Sequence, residues 1–321
     1  MSKIVDRIER ELGLPGLSAT LADKLKPSDL QSLWLEVTRL RAAGRTPPEV
    51  LAEYTDNRFV RPSPVRPQDL GAWDRVLHAQ LPSEVELLEL SPVCPLGTNS
   101  VVAGVAQNWA VATERNTEVI SDCTNVLALE ATIRRRQARE DSAVVAAVHL
   151  GASHRLLRAQ AFKGKGQMPH FRLFGLCSAG RGAGFEQMAL ALHLSVLLGA
   201  LYQYLGFGIV PRLALSDFGD PATPAEQMHE WLAGLQGQFP GLVCQLAPER
   251  KSGRGYYRGW CFHLFATMPA GEEMFLADGG AVDWSRRLLS DQKERMVISG
   301  IGSERLCTAF VAADDKGRSA C

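Results

Sequence analysis

No CxxC pair, no HExxH helix and no GxSxG elbow occurs in the chain, and each absence closes a route to function. Seven cysteines, from Cys94 to Cys321, are scattered and odd in number. They read as buried small hydrophobes in a reducing compartment, which predicts a cytoplasmic protein. His149, His154, His170, His193, His229 and His263 lack metal-ligand spacing, so core or hydrogen-bonded roles are expected and no metal site is predicted. Without the elbow, triad hydrolysis has no support. The segment Phe162 to Gly166 (FKGKG) lacks the Lys-Ser/Thr ending of a phosphate loop, and Gly180 to Gly184 (GRGAG) lacks the full dinucleotide fingerprint.

Net charge is missing too. Thirty-five basic residues balance 35 acidic ones, which removes long-range attraction to nucleic acid or an anionic membrane. The charged start MSKIVDRIEREL has no apolar signal core. The longest apolar run, Met188 to Val210, is interrupted by His193, Gln203 and glycines, so it reads as a buried helix entering a strand and no membrane span is expected.

What is present is 46% hydrophobic composition over 321 residues, enough for a large domain and a smaller one. Residues 1–80 read as a helical N-terminal region. Leu30, Leu33, Trp34, Val37 and Leu40 share a helical face after the Pro27-Ser28-Asp29 cap, and Gly44 stops the run. The proline-rich stretch Arg58 to Pro67 reads as an extended linker, with a short helix near Trp73 to Leu77.

The character changes near residue 84, and 84–321 reads as the second domain. Strands are expected at Val85 to Leu90, Arg155 to Phe162, His170 to Leu176, Ile209 to Leu215, Leu242 to Leu246, Tyr256 to Thr267, Glu273 to Leu276 and Met296 to Ser299. Helices are expected at Val126 to Glu140, Gly184 to Leu205, Met228 to Leu235 and from Ser303. Hairpin-like strands separated by long helices predict an α+β fold with a mostly antiparallel sheet.

Three ordered segments carry a family likeness. Tyr256 to Phe262 (YYRGWCF) is similar to a YYTGxxF strand, Asp278 to Asp283 (DGGAVD) to a GGGRYD turn, and Gly300 to Leu306 (GIGSERL) to a glycine-rich junction ending in Glu-Arg-Leu. Upstream, Arg155 to Gly175 lies where an ATP-binding hairpin would fall, and Ser121 to Thr124 is similar to an RP(E/D)GT segment. Together they resemble the catalytic domain of class II aminoacyl-tRNA synthetases, nearest to histidyl-tRNA synthetase and the regulatory-subunit paralogue of ATP phosphoribosyltransferase. Residues 84–312 carry the likeness.

The resemblance implies a class II synthetase-like antiparallel sheet flanked by helices, with a helical N-terminal extension and no anticodon-binding domain. It implies ATP and Mg²⁺ as cofactors, an amino-acid-like carboxylate as substrate, and a homodimer. Lys163, Arg172 and Arg305 become the implied catalytic cations, with Lys165 beside them. Gly300, Gly302 and Arg305 become the nucleotide contacts, and Asp122, Thr124, Tyr256, Tyr257, Gly279 and Gly280 the substrate contacts. Read without the family, Arg305 is a solvent arginine at a strand-to-helix junction, Lys163 and Lys165 a basic loop, and Asp122 and Thr124 a helix cap. The departures from the family pattern are Ala281 where the GGGRYD arginine stands and His263 where a glutamate follows the strand. Two functions follow: ATP-dependent formation of an acyl-adenylate, or a non-catalytic paralogue that binds a metabolite or protein partner as a regulatory or assembly subunit.

Overall fold

A computed structural model describes residues 3–140, 147–160, 168–206, 209–219, 222–267 and 271–318. The chain opens with four helices: α1 (Lys3–Leu12), α2 (Leu17–Lys24), α3 (Pro27–Ala43) and α4 (Pro47–Asp56). Local chemistry sets their ends. The Glu9 carboxylate accepts from the Gly16 and Ser18 amides at 2.8 and 2.9 Å, capping α2. Pro27 occupies the first turn of α3, and Gly44 follows its end. Thr46 and Glu49 form a capping box at α4. An extended segment then leads into α5 (Pro67–Ala79), whose Leu70, Trp73 and Leu77 are buried.

The remaining strands and α-helices, in order, are β1 (Val85–Leu87), β2 (Val93–Pro95), β3 (Thr117–Val119), α6 (Cys123–Glu140), β4 (Val148–Leu157), β5 (His170–Arg181), α7 (Phe185–Leu205), β6 (Pro211–Asp217), α8 (Ala225–Gln238), β7 (Val243–Leu246), β8 (Trp260–Thr267), β9 (Glu273–Val282), α9 (Trp284–Leu289), β10 (Glu294–Ile301) and α10 (Ser303–Arg318), with short π and 3-10 turns at Thr98–Val102 and Gln107–Trp109 between β2 and β3. Eight strands form one sheet in the order β1-β4-β5-β10-β9-β8-β6-β7, and β2 and β3 pair separately. The central pairings are antiparallel, while both edges, β1 with β4 and β6 with β7, are parallel. The mostly antiparallel expectation thus holds, with parallel strands at the edges.

One core packs α5, α7, α8 and α10 side chains with residues such as Phe174, Phe262 and Val297. A second packs α6 and Trp284 against Cys177, Cys261 and Ile298. Helix α7 is long and apolar enough to cross a membrane by length and composition, yet Leu190, Leu194, Leu197, Leu198 and Leu201 are fully buried in the first core.

The Asp278 to Asp283 expectation is corrected by the sheet. Asp278 to Val282 lies inside β9, paired with β10 on one side, and Gly280, Gly279 and Asp278 pair with β8 on the other. Gly279 has neighbours that leave no room for a side chain: an added Cβ would sit 2.5 Å from Ser299 Cβ and 2.6 Å from the Ile298 carbonyl oxygen. Its glycine therefore serves close packing within a strand rather than a reversal of direction.

Candidate functional site

A cavity of about 1000 Å³ opens where α6, the end of β4, β9 and the start of α10 converge. Its construction starts with the fully buried Glu118. Glu118 Oε1 accepts from the Asn99 amide at 2.8 Å and from Asn99 Nδ2 at 2.7 Å, and Gln107 Nε2 donates to Oε2 at 2.6 Å. Asn99 Oδ1, fixed in turn, accepts from Ser121 Oγ at 2.6 Å and Asn125 Nδ2 at 2.8 Å. This network locks the turn that starts α6. Asn125 is 1% exposed, and its Oδ1, an acceptor on a residue that lines the cavity, has no partner. A buried acceptor left without a partner costs about 1–3 kcal/mol.

Asp122 and Thr124, both expected at the site, line the cavity. Asp122 Oδ1 accepts from the Thr124 amide at 3.0 Å and Thr124 Oγ1 at 2.8 Å, capping α6. Its other oxygen accepts from Arg158 Nη2 at 3.1 Å, and Arg158 Nε donates to the Ser121 carbonyl at 2.9 Å. The Arg158 guanidinium also lies 5.0 Å from the Phe171 ring centroid. Arg158 follows the last residue of β4 and is the cation that the sequence reading missed. No local signal separates it from Arg155, because the strand expected from Arg155 to Phe162 ends at Leu157 only in the structure.

Arg305, Gly300 and Gly302 line the same cavity from the β10–α10 junction. Arg305 Nη1 donates to the Phe275 carbonyl at 3.2 Å, and the guanidinium lies 5.7 Å from the Phe275 ring centroid. Burial, and then the charge of Arg158, lower its pKa, while Asp278 opposes them. Asp278 also lines the cavity and accepts from Tyr257 Oη at 3.2 Å. Burial and the Asp122 charge raise the pKa of its carboxyl. Tyr256 and Tyr257 form the wall, edge-on to one another at 4.9 Å, and burial pushes both phenols well above the usual range. Behind Tyr257, the Arg250 guanidinium sits 5.5 Å from its ring centroid, and its charge draws the Asp278 pKa downward.

The other expected residues fall elsewhere. Lys163 and Lys165 lie outside the described residues. Arg172, on β5, points to α5: Nη2 meets Asp74 Oδ2 at 2.9 Å and Nε donates to Ser153 Oγ at 2.9 Å. It borders a second cavity of about 720 Å³, together with Arg61, Arg155 and His170. Gly279 and Gly280 are buried within β9 and are not part of the cavity lining. Among the described residues, no cluster of three or more His, Cys, Asp or Glu side chains is placed to hold a metal ion. The six described cysteines are free thiols.

Neither a protein-family model nor a curated protein sequence matches the chain. Solved structures do. Apo histidyl-tRNA synthetase from S. aureus superposes with a TM-score of 0.55 at 16% identity, covering 77% of this chain and 68% of that one. An ATP phosphoribosyltransferase regulatory subunit/histidyl-tRNA synthetase from Bacillus halodurans C gives 0.54 at 14% identity, over 76% and 79%. A histidine–tRNA ligase subunit from Alicyclobacillus acidocaldarius gives 0.57 at 14% identity, over 79% and 96%. At these identities the likeness is one of architecture, and the chain has a class II aminoacyl-tRNA synthetase-like fold.

Proposed function

We propose that this chain is a non-catalytic relative of the class II synthetases, a regulatory or assembly subunit whose cavity binds an amino-acid-like metabolite in a reducing, cytoplasmic setting. The observation that carries the reading is that Arg158 and Arg305 border one cavity with Asp122 and Asp278. Guanidinium groups suit a carboxylate or phosphate, and the carboxylates suit an ammonium group. A zwitterion uses both.

The regulatory reading is supported by where the hairpin's other charges go. Arg155 is paired with Glu304, and Arg172 with Asp74. Among the described residues of β4, β5 and their connection, Arg158 is the basic side chain that lines the cavity. Adenylyl transfer relies on several positive charges gathered around the phosphates.

Arg158 also favours a second reading, acyl-adenylate formation. The cavity's volume, its two guanidinium groups and the nearby Phe171 and Phe275 rings fit a nucleotide, which Arg158 and Arg305 would hold. Magnesium–ATP, when bound, supplies an activated phosphorus with pyrophosphate as the leaving group. Asp122 and the Ser121 carbonyl orient the Arg158 guanidinium before any ligand arrives.

Calorimetric titration of the full chain with single amino acids, then with ATP-Mg²⁺, tests both readings. Saturable amino-acid binding that Arg158→Ala weakens, without amino-acid-dependent pyrophosphate exchange, supports the regulatory reading. Exchange activity selects the second. Binding of neither class sinks both.

A further inference from the structure

Between residues 3 and 60 the chain forms four helices, yet Glu9 is the one buried side chain in that span. The apolar residues are nevertheless patterned. Ile4, Ile8 and Leu12 form a stripe on α1, exposed by 42–62%, and Leu33, Val37 and Leu40 form one on α3, exposed by 37–58%. Trp34 flanks the second stripe at 44%, and Leu51 on α4 stands 67% exposed. Stripes at helical spacing are faces meant to be covered. Helices of this length are marginal in water on their own and draw their stability from packing an apolar face.

We propose that a second copy of this chain covers these stripes, the two N-terminal arms pairing into an intermolecular helical bundle. Charge argues for a like partner. Residues 3–60 carry nine Lys or Arg and nine Asp or Glu, so the arm is neutral and its two signs are interspersed. A neutral arm meets its own copy without net repulsion, and it lacks the excess basic charge that a nucleic acid or an anionic lipid surface would select.

Area argues the same way. Twelve large apolar side chains between Ile4 and Val60 are at least 37% exposed. Together they offer on the order of 1,000 Å² of surface, against the ~800 Å² per partner of a standard interface.

The arm is also joined to the cavity. Arg58 Nη2 donates to the Ala159 carbonyl at 3.0 Å, the Arg61 carbonyl accepts from His170 Nε2 at 2.6 Å, and Pro64 and Val65 line the cavity wall. Pairing of the arms therefore braces the backbone just after Arg158. The pairing does not depend on what the cavity binds.

Sedimentation equilibrium on the full chain tests the proposal, comparing wild type with the triple variant Leu33→Glu, Val37→Glu and Leu40→Glu. These positions lie outside both buried cores, so the sheet and the helices packed on it keep their fold, which near-ultraviolet circular dichroism verifies whatever the helicity of the arm. Wild type is expected to show one more twofold association step than the variant. Amide exchange on α1, α3 and α4 should slow with concentration in wild type alone, over a roughly hundredfold dilution series. Equal masses with exchange independent of concentration would overturn the proposal. So would wild-type arms gaining protection from anionic vesicles while the protein stays monomeric. Amino-acid titration of the variant reports on the cavity separately.

Discussion

Asp122 and Arg158 lie 36 residues apart in the chain, yet the Asp122 carboxylate at the start of α6 accepts from the Arg158 guanidinium beyond β4 at 3.1 Å. The pair defines the working edge of the cavity. Asp122 spends one oxygen on the helix and the other on the arginine, so it holds the cation in place. Arg158→Ala is expected to weaken binding of an anionic ligand at least tenfold, about 1.4 kcal/mol, with Asp122→Asn several-fold weaker than wild type. Isothermal calorimetry measures both. Equal affinity in Arg158→Ala would remove the arginine from the site.

A different pair governs stability. Arg135 Nε meets Glu294 Oε2 at 3.1 Å and Nη2 meets Oε1 at 3.1 Å, with both side chains fully buried. Arg181 reaches the same carboxylate at 2.6 Å. Glu294→Ala leaves buried guanidinium charge without its partner, and a loss of about 3–5 kcal/mol is expected in urea unfolding. A midpoint within error of wild type would refute it.

The close packing of β9 gives a steric prediction. Gly280→Ala would place Cβ 2.5 Å from Cys261 Cβ and 2.8 Å from the Trp260 carbonyl oxygen. The neighbouring strand would have to move, so a loss of about 1–3 kcal/mol or more is expected, read as a lowered thermal midpoint. Gly182→Ala, where nothing lies within 4 Å but φ is +103°, separates backbone strain from crowding.

Acid should loosen the fold through His193. Its ring is fully buried between Ser178 Oγ, 2.9 Å from Nε2, and Ser299 Oγ, 3.0 Å from Nδ1. Burial, with a smaller contribution from His149, lowers its pKa from 6.5 to about 3. Below pH 6.5 the unfolded chain takes up a proton that the folded chain refuses. Stability from this group is therefore complete above about 6.5 and falls with pH toward 3, by up to ~1.4 kcal/mol per pH unit. Denaturant melts from pH 7 to pH 4 measure the slope, and His193→Gln should flatten it. An unchanged slope in that variant would assign the acid sensitivity elsewhere.

Much of the helical structure was legible locally. Pro27 and Gly44 mark the ends of α3 by chemistry that acts within a few residues, and the apolar run of α7 announces a buried helix by composition. The junction of β10 with α10 was equally readable, because Gly302 falls between the strand and the helix that begins at Ser303. Tyr256, Tyr257, Asp122 and Thr124 were placed at the site by resemblance, and all four line the cavity.

The choice among arginines was not legible. Arg155, Arg158 and Arg172 look equivalent in sequence, but Arg155 and Arg172 face each other across the β4–β5 ladder and turn to Glu304 and Asp74. Arg158, beyond the ladder, turns instead to Asp122. Side chains alternate faces along a strand, and which face meets the cavity depends on register with a strand far away in sequence. The DGGAVD segment resembles a turn only through the family likeness, and pairing with β8 and β10 fixes Asp278 to Val282 as a strand. By itself, the sequence determined the helical character of the N-terminal region and the positions of the long helices α3, α6 and α7, since capping and apolar-run signals are short-ranged. Tertiary structure alone decided which charges share the cavity and which glycines pack between strands, because both depend on contacts that no local pattern specifies.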